Sequence, residues 1–134
     1  MKLAKTALIV IQLLVMVNAF GGGIYGMLGA PAVPASWLDG SPFHSYFVPG
    51  LFLFAVIGGG MLVATAAWVR KSARAPWISL MMGAVVMLWI VVQVAIIGWT
   101  SPLQPISFVA GAAVAALAGI ILRRERRAQV APVA

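Results

Sequence analysis

His44 is the chain's single histidine, and it stands five residues beyond Asp39 with Ser36, Ser41 and Ser45 alongside. An imidazole base, a hydroxyl and a carboxylate are the parts of nucleophilic catalysis. The same groups are also metal ligands. One histidine and one aspartate, however, fall short of the three protein ligands that catalytic metal sites commonly hold. Neither GxSxG nor HExxH occurs anywhere in the chain. The absence of cysteine excludes disulfides, thiolate metal sites and redox chemistry on a CxxC pair. These residues therefore predict no enzyme, no bound metal and no cofactor. Asp39-Gly40 followed by Ser41-Pro42 reads as a turn. Trp37, Asp39, Phe43, His44 and Tyr46 form a candidate docking group, and the plainer reading is a passive connector packed on helix ends.

The elements that would hold this stretch belong to a lipid-soluble chain. Of 134 residues, 63% are hydrophobic and only 8% charged, whereas a soluble domain is about one quarter charged. Four apolar runs approach the roughly 20 residues that cross a bilayer: Ala7–Gly29, Val48–Val69, Trp77–Trp99 and Ile106–Leu122. Pro49, Pro76 and Pro105 stand at or beside the starts of spans, where a missing N–H costs nothing. Short connections at Arg70–Ala75 and Thr100–Gln104 imply antiparallel hairpins, and the first loop, Ala30–Phe47, alone has room for structure of its own. The expectation is one membrane domain over residues 1–134, an all-α antiparallel bundle of four transmembrane helices with a basic tail at residues 123–134.

The basic residues orient it. Lys2 and Lys5 precede span one, Arg70, Lys71 and Arg74 separate spans two and three, and Arg123, Arg124, Arg126 and Arg127 follow span four. All nine fall on one side, so the positive-inside rule places both termini in the cytoplasm of a bacterium, with the protein multi-pass in its inner membrane. Lys2, Lys5, the run Ala7–Val17 and the small-residue site Val17-Asn18-Ala19 also resemble a secretory signal. The run continues through Ile24–Leu28, longer than a signal core needs, which favours a retained span. The net charge of +7 flanks the spans and does not form one face, so it predicts anionic lipid headgroups as its partners and not nucleic acid.

No Asp, Glu, Lys, Arg or His lies inside a span, which argues against a proton-coupled carrier, an ion pump or a bis-histidine haem protein. Span one carries the neutral polar residues Gln12 and Asn18, span two Thr65, and span three Ser79 and Gln93. Matched depth suggests an Asn18, Trp89 and Gln93 cluster at mid-membrane, read first as structural glue and second as a ligand site. Gly22 and Gly26 form a GxxxG, Gly58, Gly59 and Gly60 a triplet within span two, and Gly111, Ala115 and Gly119 a small-residue ladder on span four. Such residues let backbones approach closely, or they mark a broken helix lining a cavity. The ladder would serve span one or another subunit equally well. Trp68 and Trp77 bracket the inner boundary, and Trp99 the outer one, as interfacial anchors.

The string Pro42-Phe43-His44-Ser45-Tyr46-Phe47-Val48-Pro49-Gly50-Leu51-Phe52-Leu53 with Val56-Ile57-Gly58-Gly59-Gly60, and Trp89-Ile90-Val91-Val92-Gln93-Val94-Ala95-Ile96-Ile97-Gly98 with Leu103-Gln104-Pro105, resembles small bacterial four-span membrane proteins without assigned function. The resemblance covers roughly residues 41–109 and implies the four-span fold but no activity. A slighter likeness to DoxX-like four-span proteins rests on span count.

Intramembrane neutrality and small-residue faces point to a non-catalytic protein that works by association, as an accessory, assembly or stabilising subunit of a membrane complex. Its partners would be the lipid bilayer and other membrane subunits or copies of itself. The alternative is a small homo-oligomeric transporter or channel for a neutral or lipidic solute, lined by Asn18, Gln93 and the glycine-rich spans. A membrane enzyme acting through the outer loop ranks third.

Overall fold

The computed structural model describes residues 2–31, 35–39, 45–98 and 102–130. Every regular element among them is helical. Helix α1 covers Lys2–Met27, α2 Phe47–Phe52, α3 Gly59–Val69, α4 Ala75–Ile97 and α5 Leu103–Val130. A π-helical segment, Leu53–Gly58, joins α2 to α3 without leaving helical dihedrals, so the two form one rod. The result is four helical rods, each long and apolar enough to cross a membrane. Helix α1 begins at Lys2, well before the expected Ala7, and α5 runs on through the basic tail to Val130.

Helix endings follow from local chemistry. Helix α1 closes with Gly29 in the left-handed region (φ +98°), the Gly29 N–H donating to the Gly26 carbonyl and the Ala30 N–H to that of Tyr25. Helix α3 closes in the same paired pattern, with Lys71 N–H donating to Trp68 O and Ser72 N–H to Ala67 O. Lys71 there takes φ +54°, a seat that glycine usually fills. Pro76 sits in the first turn of α4, where its fixed φ suits a helix start.

Helix α1 packs against the α2–α3 rod and against α5, and α4 packs against α3 and α5, closing an up-down-up-down ring. The interior face of α1 is Leu8, Gln12, Ala19, Gly23 and Gly26. Ala19 joins Ile57, Met61, Ala64, Met82 and Val86 in the main core, with Trp89 and Leu53 packed on it. A second core of Leu8, Ala118 and Ile121 lies nearer the basic end, under Trp68 and Ile9. Many large apolar side chains stay on the outside, among them Leu14, Val17, Leu62, Leu88 and Val109. A soluble bundle would bury such surface, whereas lipid solvates it.

Candidate functional site

The interior of the bundle carries one chain of polar groups, built from three rods. Gln12 of α1 and Ser79 of α4 are wholly buried, and Thr65 and Trp68 of α3 are half-buried beside them. The Trp68 Nε1–H donates to Ser79 Oγ at 2.8 Å. The Ser79 hydroxyl in turn donates to Gln12 Oε1, and Gln12 Nε2 donates to Thr65 Oγ1 at 3.3 Å. Each group gives or receives in turn, so the serine proton and both ends of the amide are engaged. Among the described residues no buried side-chain nitrogen or oxygen lacks a partner. Hydrogen bonds of this kind are worth about 0.6 kcal/mol each between membrane helices, and chains of them polarise one another. All four side chains are uncharged.

This cluster replaces the expected one. Asn18 lies exposed on the outer face of α1, because its neighbour Ala19 takes the interior position. Trp89 stacks on Phe52, ring centroids 4.5 Å apart and planes 22° from parallel. Gln93 accepts from Gln104 Nε2 at 3.4 Å, and the same nitrogen lies 3.3 Å from the Gly98 carbonyl. Matched depth of Asn18 and Trp89, with Gln93 one turn from Trp89 on the same face, suggested that the three should meet. Trp89 and Gln93, four apart, do share a face of α4, but helical azimuth, about 100° per residue, turns Asn18 away from them on α1. Gln104, read from sequence as part of the last loop, is buried near the far end and helps fasten the α4–α5 hairpin.

The small residues divide into two sets. A Cβ at Gly23 would sit 2.6 Å from Phe54 Cβ and 2.8 Å from the Gly50 carbonyl oxygen, and one at Gly26 would sit 3.0 Å from Gly50 Cα. Gly22 faces Leu53, Gly58 faces the Phe20 ring, and Gly60 faces Met82. Gly111 and Ala115 receive Gly83 of α4 within the same chain. Two of the three ladder positions, Gly111 and Ala115, therefore face α4. Around Gly59 and Gly119, and around Gly21, an added Cβ would meet nothing within 4 Å. Gly50 and Gly83 are packing glycines that the sequence reading missed. Ser79 and Gly83, four apart, were the available signal for the second.

The outer-loop group is only partly described. Ala35–Leu38 form one 3₁₀ turn closed by Asp39 N–H donating to Ser36 O at 3.0 Å, and Leu38 is buried. Asp39 is exposed, and burial pushes the Tyr46 phenol above its usual pKa. Phe43, His44 and the side chain of Trp37 lie outside the described residues. Among the described residues no three His, Cys, Asp or Glu side chains gather in a way that could hold a metal. No protein-family model, curated protein or solved structure matches the chain, so its function rests on its own geometry.

Proposed function

We propose that this is a small multi-pass protein of a bacterial cytoplasmic membrane, both termini inside, that acts without catalysis as an accessory or assembly subunit. The observation that carries the reading is the outward amide of Asn18. It stands thirteen residues from Lys5, about 20 Å along the helix axis at 1.5 Å per residue. In a bilayer that depth offers no water, and a polar group there finds its partner on another helix. Leu14, Asn18, Gly21 and Tyr25 are all exposed and recur at steps of four, three and four, so they make one stripe. Gly21 leaves room on that stripe for a second backbone.

The interior groups support the same reading. Gln12, Thr65, Ser79 and Trp68 are engaged with one another across the bundle centre, which suits glue better than a solute path. Extraction in mild detergent followed by native mass spectrometry tests the proposal. The expected result is co-purification with other subunits at fixed stoichiometry. Recovery of copies of this chain alone would favour the homo-oligomeric channel, and a bare monomer would end the association reading.

A further inference from the structure

At the basic end, helices α1, α3, α4 and α5 leave a cleft of about 410 Å³, within the roughly 300–1,000 Å³ of ligand pockets. Lys5, Trp68, Lys71 and Ser72 frame it, with Ile9 and Pro76 as its apolar lining and Glu125 at one side. A second hollow of about 220 Å³ shares Lys5 and Glu125 and adds Arg124. Three cations and one carboxylate therefore converge where four rods end.

The cations are placed rather than scattered. Lys5 Nζ lies 5.9 Å from the centre of the Trp68 ring, a cation–π distance. That ring is itself pinned, because its Nε1–H is bound to buried Ser79. Lys71 occupies the left-handed seat that closes α3, where a side chain is disfavoured and glycine fits best. It is nevertheless one of the residues that line the cleft.

We infer that this cleft binds the phosphodiester headgroup of an anionic phospholipid of the phosphatidylglycerol type. The phosphate sits between Lys5 and Lys71, and headgroup hydroxyls donate to the Glu125 carboxylate. Ile9, one turn into the span from Lys5 on the same helix face, starts the path of the acyl chain. Basic pockets between spans on the cytoplasmic side suit such headgroups. A soluble phosphate would use the same cations but would gain nothing from Ile9 and Pro76. The inference rests on the membrane placement proposed above.

The test is lipid retention by the full-length purified protein, read by native mass spectrometry against phosphatidylglycerol, phosphatidylethanolamine and phosphatidylcholine. Wild type should retain phosphatidylglycerol preferentially. Lys5→Gln and Lys71→Gly should each lower that retention about tenfold, the loss of one hydrogen bond to a charged phosphate. Lys71→Gly keeps the turn that closes α3, so its melting temperature should not fall and misfolding cannot account for the loss. With salt screening general surface attraction, Arg127→Gln, outside the cleft, should leave retention within about twofold of wild type. Equal retention of all three lipids, or equal loss with Arg127→Gln, overturns the site. Displacement of bound lipid by millimolar inorganic phosphate overturns the lipid assignment in favour of a soluble phosphate. Failure of the membrane placement itself would show separately, as release of the chain from membranes by alkaline carbonate.

Discussion

Gly83 of α4 and Gly111 of α5 meet backbone to backbone. A Cβ at Gly83 would stand 2.6 Å from the Gly111 carbonyl oxygen, and one at Gly111 would stand 3.0 Å from that of Gly83. Without side chains between them, the two rods gain dispersion contacts and weak hydrogen bonds that lipid cannot supply. Gln104 reinforces the same hairpin from its far end through Gln93 and the Gly98 carbonyl.

Gly83→Ala should therefore destabilise the bundle by about 1–3 kcal/mol, the usual cost of overpacking. Gly119→Ala is the matched control on α5, since its new methyl meets nothing within 4 Å. It should be neutral or stabilising by up to about 1 kcal/mol, the helix preference of alanine over glycine. Denaturation in mixed micelles compares the two. Equal effects would show that the α4–α5 approach has no special tightness.

The interior polar chain makes a graded prediction. Ser79 accepts from Trp68 and donates to Gln12, whereas Thr65 only accepts from Gln12 at 3.3 Å. Ser79→Ala strands two partners and should cost about 1–2 kcal/mol, against about 0.6 kcal/mol for Thr65→Val. A double-mutant cycle of Gln12→Leu with Ser79→Ala should show coupling, because the two share one hydrogen bond. Additive losses would mean that the serine and the glutamine act independently.

The four rods were legible because span length and proline punctuation are properties of the sequence along one dimension. The contacts between rods were not, because they depend on azimuth. Asn18 and Ala19 differ by one residue, yet one faces outward and the other joins the core with Ile57 and Met61. The apolar residues surround each helix, so hydrophobic periodicity could not choose between them. Gln12, Thr65 and Ser79 were recognisable as groups needing partners, but nothing in their spacing said that they would serve one another. Gly50 and Gly83 each stand alone, without the triplet or ladder that drew attention to other glycines.

Sidedness is testable with single cysteines, since the native chain has none to interfere. Ser36 and Ser72 are exposed at opposite ends of the bundle. With the basic end in the cytoplasm, a Ser36→Cys variant should react with an impermeant maleimide in intact cells. Ser72→Cys should react only after permeabilisation. The reverse pattern would invert the topology, and with it the leaflet of the proposed headgroup site.

The last prediction separates an association face from a folding face on a single helix. Asn18 is exposed on α1, and Ala19 beside it is only 3% exposed, packed in the core. Asn18→Leu removes an amide that makes no contribution to the interior, so the monomer should insert and melt as wild type does. Its complex should nevertheless weaken by about 1–2 kcal/mol, the worth of a strong hydrogen bond between membrane helices, and fall apart first on native gels. Ala19→Leu should do the opposite, adding three carbons to a filled core at a cost of about 1–3 kcal/mol and lowering the amount of folded chain. Asn18→Gln, which keeps the amide on a longer stem, should restore part of the complex if hydrogen bonding is what holds it. An Asn18→Leu complex as stable as wild type would mean that the stripe of Leu14, Asn18, Gly21 and Tyr25 faces lipid alone, and the association reading would lose its main support.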